Sequence, residues 1–454
     1  GCTIDNGILH IVTQPFSPVI PPEMPPQPRP RPALSAKPAN PALSPQSAGE
    51  IITVLPAGEA RLPQRRSAGG GPPQARFVAA LGALVAGDFA ISELAFTKAL
   101  EARSPATLRA LACDLEAYAR FVAEASGPGV PVTAERLVAW IDHLEARAQK
   151  PATIARKLAT MGMIHALLGV PDPARSPVVR DALRGVRRRQ GRAQRQAAGL
   201  RLGEPIGDAP VKGFTLQALL AACDADPPGL RDAALLSLGY DAGLRVSELL
   251  AATVEALELQ EDGSGLLTIA RSKTDQDGEG ACVWVSPETI RRIAAWREAA
   301  VIRSGPLFRR VGVRRTRARK ARRALTIGDL AYNAAVDPDR MAAIPARQAS
   351  TTFIIGEQPL TVAAMRSIIR KRALAAADLG LVRLMGSELD RAIDALSTHS
   401  LRVGLTQDLF ANGEDAGPIA QALRWSSVGT ALRYGRKLAP ASGAAARMLA
   451  RRRT

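Results

Sequence analysis

Apolar residues recur every three or four positions from Ala75 to about Val186, and this spacing is the strongest constraint on the fold. A period near 3.6 residues predicts amphipathic helices that each bury one face. Pro105, Thr133 and Pro151 stand where helices are expected to begin. The predicted inner faces are Leu108, Leu111, Leu115, Tyr118 and Val122, then Leu137, Trp140, Ile141 and Leu144, then Ile154, Leu158, Met161 and Ile164. Four or so antiparallel helices with short loops predict a small all-α bundle over residues 75–186.

The pattern changes after residue 212 and indicates a second domain over 213–439. Helical periodicity predicts four helices, at 216–224, 230–242, 361–379 and 389–396. Two short apolar runs, 266–270 and 281–285, flank a polar turn and predict a β-hairpin. The expected fold class is therefore mainly α with a small β-sheet.

Four further segments differ in composition from these two domains. Residues 1–74 are rich in proline and predict a disordered arm. Arginines without acidic neighbours predict a basic linker at 187–212, either a solvated charge run or a strap lying along DNA. Residues about 309–359 form a basic insertion with weak periodicity. Residues 440–454 predict a short terminal helix, which is expected to dock because it is too short to be stable alone.

The excess of basic residues narrows the class of partner. Sixty Lys and Arg against 42 Asp and Glu give a net charge of +18 and an isoelectric point of about 10.7. This balance is typical of nucleic-acid-binding proteins, although a basic protein of a GC-rich organism would share it. Aromatic residues are only 4% of the chain, which argues against single-strand binding by base stacking. Duplex DNA bound through its phosphates is the expected partner.

Cysteine usage and hydropathy predict an intracellular protein. The four cysteines are far apart and lack metal-ligand spacing, so we expect reduced, mostly buried thiols. No apolar run approaches membrane-spanning length, and no membrane association is expected. The first residues lack the features of a signal peptide.

The stretch 398–437 contains most of the candidate catalytic residues. His399 and Arg402 lie one helical turn apart, so both side chains are expected on one helix face. A helix pair further along this stretch would bring Trp425 and Tyr434 back towards them. An arginine, a histidine and a tyrosine with no metal ligands nearby suggest that a phenol attacks a phosphate.

Cleavage of a phosphodiester without a metal requires that negative charge be held, the nucleophile deprotonated and the leaving oxygen protonated. Arg245 and Arg402 suit the first task because a planar guanidinium binds two phosphate oxygens at once. His399 can act as base or proton relay for Tyr434 near neutral pH. Lys273, at the end of the first hairpin strand, can protonate the leaving 5′ oxygen.

The ordered set of residues is more specific than any single one. It comprises an arginine in a GLRVSEL turn, a hairpin lysine, an HSLR motif, a tryptophan whose indole N–H can reach a phosphate oxygen, and a tyrosine nine residues later. Two alternatives stay open at this point. The helix pair at 415–436 also fits a helix-turn-helix DNA-binding regulator, and a type IB topoisomerase would use similar chemistry without choosing a site.

These motifs resemble those of the tyrosine recombinases, also called phage integrases. The resemblance rests on GLRVSELL, the SKT lysine, HSLRVG and the W-x8-Y spacing, with tryptophan where many members have a second histidine. It covers roughly 100–300 and 360–450. It implies a helical, SAM-like core-binding domain and an α+β catalytic domain that form a clamp on DNA. It also implies site-specific recombination through a 3′-phosphotyrosyl intermediate, without metal, cofactor or ATP.

The resemblance further implies residue roles and partners. The implied catalytic residues are Arg245, Lys273, His399, Arg402, Trp425 and Tyr434, with Glu248 in support. The implied partners are double-stranded DNA with inverted-repeat sites and further copies of the chain in a tetramer, in which the 440–454 helix docks on a neighbouring protomer. A need for an accessory DNA-bending protein stays open, as does the choice between integrase, dimer resolvase and inversion switch.

Overall fold

The computed structural model describes most of the chain in segments. The described residues are 2–5, 8–11, 51–60, 62, 71–85, 90–124, 129–191, 196–205, 207, 210–270, 280–324, 343–435 and 448. Contacts divide the chain into a first unit, residues 1–31 and 64–195, and a second unit, residues 32–63 and 196–454. Within the described ranges, no helix combines the length and hydropathy that a membrane span requires.

Helices dominate both units, and three small sheets accompany them. The α-helices are α1 (Pro73–Gly82), α2 (Glu93–Glu101), α3 (Pro105–Glu124), α4 (Ala134–Ala146), α5 (Pro151–Leu167), α6 (Pro177–Gln190), α7 (Leu216–Ala221), α8 (Pro227–Asp241), α9 (Val246–Ala251), α10 (Pro287–Ala299), α11 (Val362–Asp378), α12 (Gly386–Ala395), α13 (Ser400–Ala411), α14 (Ala416–Ala422) and α15 (Val428–Gly435). The strands are β1 (Cys2–Asp5), β2 (Ile8–Ile11), β3 (Ile51–Leu55), β4 (Ala90–Ser92), β5 (Leu257–Leu259), β6 (Gly265–Ile269), β7 (Ala281–Val285), β8 (Arg309–Thr316) and β9 (Ser350–Pro359). The predicted fold class, mainly α with small sheets, is confirmed.

The first unit contains the predicted helical bundle. Its helices α3, α4 and α5 begin at the expected residues, and the Thr133 hydroxyl caps α4 by accepting a hydrogen bond from the Arg136 N–H. The core includes Tyr118 packed edge-on against Trp140, with ring centroids 4.9 Å apart. Phe121 is buried, whereas the predicted Val122 is only partly covered, because Phe121 lies one turn after Tyr118 on the inner face.

The second unit encloses a larger core around the nearly all-buried helix α8. The antiparallel sheet β5–β6–β7 packs against this core and contains the predicted hairpin, whose β6 and β7 pair from Gly265 with Val285 to Ile269 with Ala281. Helices α13, α14 and α15 follow one another at the end of the described chain. The sequence prediction of the hairpin and of this closing helix group is confirmed.

The prediction of a disordered arm over 1–74 is wrong for its last part. Strand β3 pairs in parallel with β9, and β9 pairs antiparallel with β8. Leu62 packs so closely on Gly312 that a Cβ there would lie 2.2 Å from it. The arm therefore adds an edge strand to β8 and β9, which lie in the predicted insertion at 309–359. Strands β1 and β2 also fall within the predicted arm; β1 pairs with β2, and β2 pairs with β4.

The predicted basic linker at 187–212 is also corrected at both ends. Its first residues belong to the last turn of α6, where Arg189 pairs with Glu145. Further on, Leu200 is fully buried, and its N–H donates to the carbonyl of Ser400. Arg201 pairs with Asp408 on α13. Burial of Leu200 anchors this part of the segment to the second unit, and a strap lying along DNA stays a prediction.

The expectation of buried cysteines is wrong for two of the three cysteines whose exposure the structure describes. Cys113 and Cys282 are exposed, whereas Cys223 is half-buried and burial raises the pKa of its thiol to about 12. Cys113 lies on the outer face of α3, and Cys282 lies on the solvent side of β7 between inward-facing neighbours. The residue type alone does not show whether a side chain points inward or outward, because the helical or strand periodicity determines its direction.

Candidate active site

Arg402 lies in the first turn of α13 and is only 1% exposed. Its guanidinium donates to the carbonyl oxygen of Gly243 at 2.5 Å and to that of Leu423. Gly243 forms the turn between α8 and α9 with φ of +52°, a left-handed conformation that favours glycine. Arg402 therefore joins this turn to the end of α14.

Burial of Arg402 leaves part of its hydrogen-bonding capacity unused. Burial, followed by the charges of Arg245 and Arg424, lowers the pKa of Arg402 to about 10. The guanidinium is still charged at neutral pH. Its Nε is buried and has no hydrogen-bond partner among the described residues. A buried cation with a spare donor is suited to an anionic oxygen such as that of a phosphate.

Arg245 precedes α9 and is held by Glu248. The Glu248 carboxylate accepts hydrogen bonds from the Arg245 backbone N–H at 2.9 Å and from its guanidinium at 2.7 Å. Burial acts to raise the pKa of Glu248, but hydrogen bonds from Arg245 and the charge of Arg424 outweigh it, so the pKa is lowered. An ionised Glu248 thus fixes the position of the first arginine.

His399 and Tyr434 are in direct contact. The His399 Nε2 lies 2.8 Å from the Tyr434 hydroxyl oxygen. Burial lowers the pKa of His399 below its ordinary 6.5, and the charges of Arg402 and Arg245 lower it further. His399 is therefore neutral at pH 7 and able to accept the phenolic proton of Tyr434.

Trp425 lies between the second arginine and the tyrosine. Its ring stacks on Tyr434 with centroids 5.4 Å apart and planes 12° from parallel. The guanidinium carbon of Arg402 lies 4.9 Å from the Trp425 ring centroid. These contacts, one cation–π and one stacked, hold the phenol beside the guanidinium.

The end of the described chain folds so that Tyr434 returns to α13. A small apolar cluster of Ile419, Ala420, Leu423 and Ala431 packs α14 and α15 against α13. Gly435 lies against the Phe410 ring, where an added Cβ would come within 2.7 Å. The glycine directly after Tyr434 therefore permits the close approach of α15 to α13.

The structure brings together most of the residues predicted from sequence. Those found in this cluster are Arg245, Glu248, His399, Arg402, Trp425 and Tyr434. Lys273 lies outside the described residues, between strands β6 and β7. No group of His, Cys, Asp and Glu in the described part of the chain is arranged to hold a metal ion.

Sequence reasoning missed Arg424. Its guanidinium donates to the second Glu248 oxygen at 3.1 Å, so Glu248 bridges Arg245 and Arg424. Arg424 has φ of +54°, which is unusual for a residue with a Cβ. The only available signal was an arginine between the end of a predicted helix and Trp425, and that signal did not distinguish it from other arginines of a basic chain.

Comparison with known proteins identifies relatives of both parts of the chain. The family model described as the phage integrase N-terminal SAM-like domain matches residues 95–168, within the helical bundle. An integrase/recombinase XerD homolog of Selenomonas ruminantium is 30% identical over 213 residues, which cover 45% of this chain and 59% of that protein. The chain thus spans about three fifths of that relative's length.

A second relative is the Cre recombinase of Escherichia phage P1. It is 22% identical over 319 residues, covering 70% of this chain and 80% of Cre. The XerD homolog thus has the higher identity, whereas the match to Cre covers more of this chain. Among solved structures, the XerH recombinase bound to a palindromic difH substrate has a TM-score of 0.44 at 14% identity, covering 75% of this chain and 80% of that one.

Proposed function

We propose that this chain is a member of the tyrosine recombinase, or phage integrase, family and acts as a site-specific DNA strand transferase. It would cleave and rejoin duplex DNA through a 3′-phosphotyrosyl intermediate. The family supplies the reaction class. The side chains of the cluster described above supply the groups that the reaction needs.

The observation that carries this proposal is the contact between His399 and Tyr434 beside a buried arginine. A phenol is a weak nucleophile until it loses its proton, and a neutral imidazole nitrogen 2.8 Å away can accept that proton. Arg402, on the other side of the Trp425 ring, has a buried unused donor for a phosphate oxygen. A nucleophile, its base and an anion-binding cation are thus adjacent.

The proposed cleavage step replaces one phosphoester bond of the DNA by a bond to Tyr434. The Tyr434 oxygen forms a bond to the scissile phosphorus while its proton passes to His399. The bond from phosphorus to the 5′ oxygen of the next nucleotide breaks, and that oxygen takes a proton from Lys273. Arg245 and Arg402 bind the nonbridging oxygens as charge develops. The reverse step, with a 5′ hydroxyl as nucleophile, rejoins DNA and releases Tyr434.

We further propose the partners that this reaction implies. The substrate would be double-stranded DNA carrying inverted-repeat sites. Four protomers would assemble on two sites, with the 440–454 segment docked on a neighbour. The protein would act on DNA in the bacterial cytoplasm, and an accessory DNA-bending protein would be a further component at sites that require one.

Covalent trapping tests the proposal directly. The protein is mixed with sheared DNA from its source organism, quenched with SDS, and the DNA that stays attached is sequenced. Tyr434→Phe removes one oxygen and should abolish attachment while DNA binding is kept. Tyr240→Phe is the matched control, because the Asp408 carboxylate that accepts its hydroxyl still has Arg201 and the Leu202 N–H as donors.

The outcomes separate the three function classes. Enrichment of one inverted-repeat site, lost only in Tyr434→Phe, supports a site-specific recombinase and supplies its target. Attachment without enrichment favours a type IB topoisomerase. Binding with no tyrosine-dependent attachment favours a helix-turn-helix regulator and contradicts the proposal.

A further inference from the structure

Arg424 is a half-buried cation that the proposed reaction does not yet use. One of its nitrogens donates to Glu248, but Nε and NH1 are buried and have no hydrogen-bond partner among the described residues. Unpaired buried donors of a charged group are costly in a finished fold. They are expected where a ligand completes the site.

The position of Arg424 is tied to both arginines of the cluster. The Glu248 carboxylate accepts a hydrogen bond from the Arg245 guanidinium at Oε1 and one from the Arg424 guanidinium at Oε2. The carbonyl of Leu423, the residue directly before Arg424, accepts from Arg402. The three guanidinium groups therefore share one network, although Arg424 is distant from Arg245 in sequence.

The charge balance of this network fits a phosphate in its reacting form. Three guanidinium groups and the single Glu248 carboxylate leave a net charge of +2. A phosphodiester has one negative charge, and attack by a phenolate adds another as the phosphorane forms. With Arg245 and Arg402 alone, Glu248 would leave a single positive charge, so Arg424 supplies the second.

The backbone at Arg424 supports a functional origin of this side chain. Its φ of +54° lies in the left-handed region, where glycine is favoured and a Cβ is strained. A fold that needed only the turn would be better served by glycine. Ala148 and Val301 share this conformation, so the backbone alone does not indicate a function; the buried, unpaired nitrogens of Arg424 distinguish it from them.

We propose that Arg424 is a third arginine of the phosphate site, which binds the scissile phosphate together with Arg245 and Arg402. This inference rests on the proposed strand-transfer function. It predicts that a substitution that relieves backbone strain will nevertheless impair cleavage.

The test compares Arg424→Gly with Val301→Gly. Val301 has nearly the same left-handed φ, +53°, but lies at the end of α10 away from the cluster. Val301→Gly is expected to keep or raise the melting temperature, whereas Arg424→Gly relieves the same backbone strain but also loses the hydrogen bond to Glu248, which keeps its bonds from Arg245. Only Arg424→Gly should slow single-turnover formation of the Tyr434 adduct on the trapped site, by about 10²-fold, as for loss of one charge-stabilising donor. Arg424→Lys should recover part of the rate.

A neutral phosphate distinguishes ligand binding from a structural role. On a duplex with a methylphosphonate at the scissile position, one charged oxygen is absent, so the defect of Arg424→Gly should shrink. Wild-type cleavage by Arg424→Gly overturns the inference, as does an equal defect on both substrates together with a lowered melting temperature. If the wild-type protein forms no Tyr434 adduct, the proposed function and this inference fail together.

A different observation concerns the ribbon that continues β8 and β9. Beyond the strands, backbone hydrogen bonds pair Arg319 with Arg347 and Arg322 with Ile344. Residues 313–323 and 343–352 contain no acidic residue. The exposed basic residues of this ribbon include Arg314, Arg315, Arg317, Arg319, Lys320 and Arg347. Like charges facing each other across strands destabilise a free ribbon.

We infer that this basic ribbon binds the phosphate backbone of duplex DNA outside the cleavage site. The proposed function supplies only the choice of partner. The test measures binding of an arbitrary duplex, by fluorescence anisotropy over a salt series, with no cleavage required. Replacing Arg314, Arg315, Arg317 and Arg319 by alanine should lower the slope of log affinity against log salt by about 3.6, near 0.9 for each of the four contacts.

The control variant loses the same charge elsewhere in the second unit. Alanine replaces Arg291, Arg297, Arg303 and Arg391, which lie on or near α10 and α12. A slope change confined to the ribbon variant supports the inference. An unchanged slope, or an equal change in both variants, overturns it without affecting the Tyr434 experiment.

Discussion

Replacing Glu248 by alanine is expected to destabilise the second unit by about 3–5 kcal/mol, the range for breaking a buried ion pair. The Glu248 side chain is 1% exposed and accepts hydrogen bonds from the Arg245 backbone, the Arg245 guanidinium and the Arg424 guanidinium, at 2.9, 2.7 and 3.1 Å. Alanine would leave two poorly solvated cations side by side. It would also remove the partner of the backbone N–H at the start of α9.

The expected loss is large because water cannot replace the carboxylate. An exposed ion pair contributes only about 0–1 kcal/mol, since both ions are hydrated when it breaks. Glu288 provides the comparison, because its pair with Arg292 on α10 is 55% exposed at the carboxylate. For a unit of this size, about 2–4 °C per kcal/mol places the shift in melting temperature near 10 °C for Glu248→Ala and within about 3 °C for Glu288→Ala.

Calorimetry of the full chain, with the transition of each unit resolved, measures both shifts. The fold lowers the pKa of Glu248, so its contribution to stability is present above the unfolded value near 4.5 and is lost as pH falls through the folded pKa. The difference in melting temperature between wild type and Glu248→Gln should therefore become smaller as the pH is lowered. A loss under about 1 kcal/mol for Glu248→Ala, no greater than for Glu288→Ala, would refute the argument.

Three further predictions concern the reaction and assembly. Because the pKa of His399 is lowered, part of the neutral base persists below pH 6.5. The rate of adduct formation should therefore fall in acid with a midpoint below pH 6.5, and this fall should disappear in His399→Gln. A midpoint at or above pH 6.5 would contradict the argument. Lys273→Ala should slow cleavage by about 10²-fold or more in single-turnover assays while leaving DNA affinity nearly unchanged; a large loss of affinity would make Lys273 a backbone contact. Deleting 440–454 should weaken assembly of several protomers on DNA more than binding of one protomer, as resolved by gel mobility; unaltered assembly would exclude docking by this segment.

The helical bundle was predictable because its signals are local. Thr133 and Pro151 mark helix starts within one chain segment, and their helices α4 and α5 begin where expected. The inner face of α3 was less certain, since both Phe121 and Val122 are apolar and only packing selects between them. Periodicity and capping residues thus predict where helices lie better than they predict which side chains are buried.

Strand β3 was not predictable for the opposite reason. Residues 51–55 pair with residues 350–354, nearly three hundred positions later, and a parallel partner leaves no turn signal nearby. Proline-rich composition around this strand indicates disorder, and composition alone does not show that Val54 packs on the core of the second unit. Strands β8 and β9 of the weakly periodic insertion likewise pair with each other across a long stretch of sequence.

The candidate site shows how motif and tertiary geometry contribute different parts of one cluster. His399, Arg402 and Tyr434 were recognisable because short spacings of distinctive residue types constrain them. Arg424 was not, because its meaning depends on a left-handed backbone, on burial and on Glu248, which is 176 residues earlier. Since Glu248 neutralises one cation of any pair that it bridges, a site containing this carboxylate needs a third guanidinium to carry two positive charges. The acidic residue that steadies the first arginine is therefore the physical reason to expect a function for Arg424.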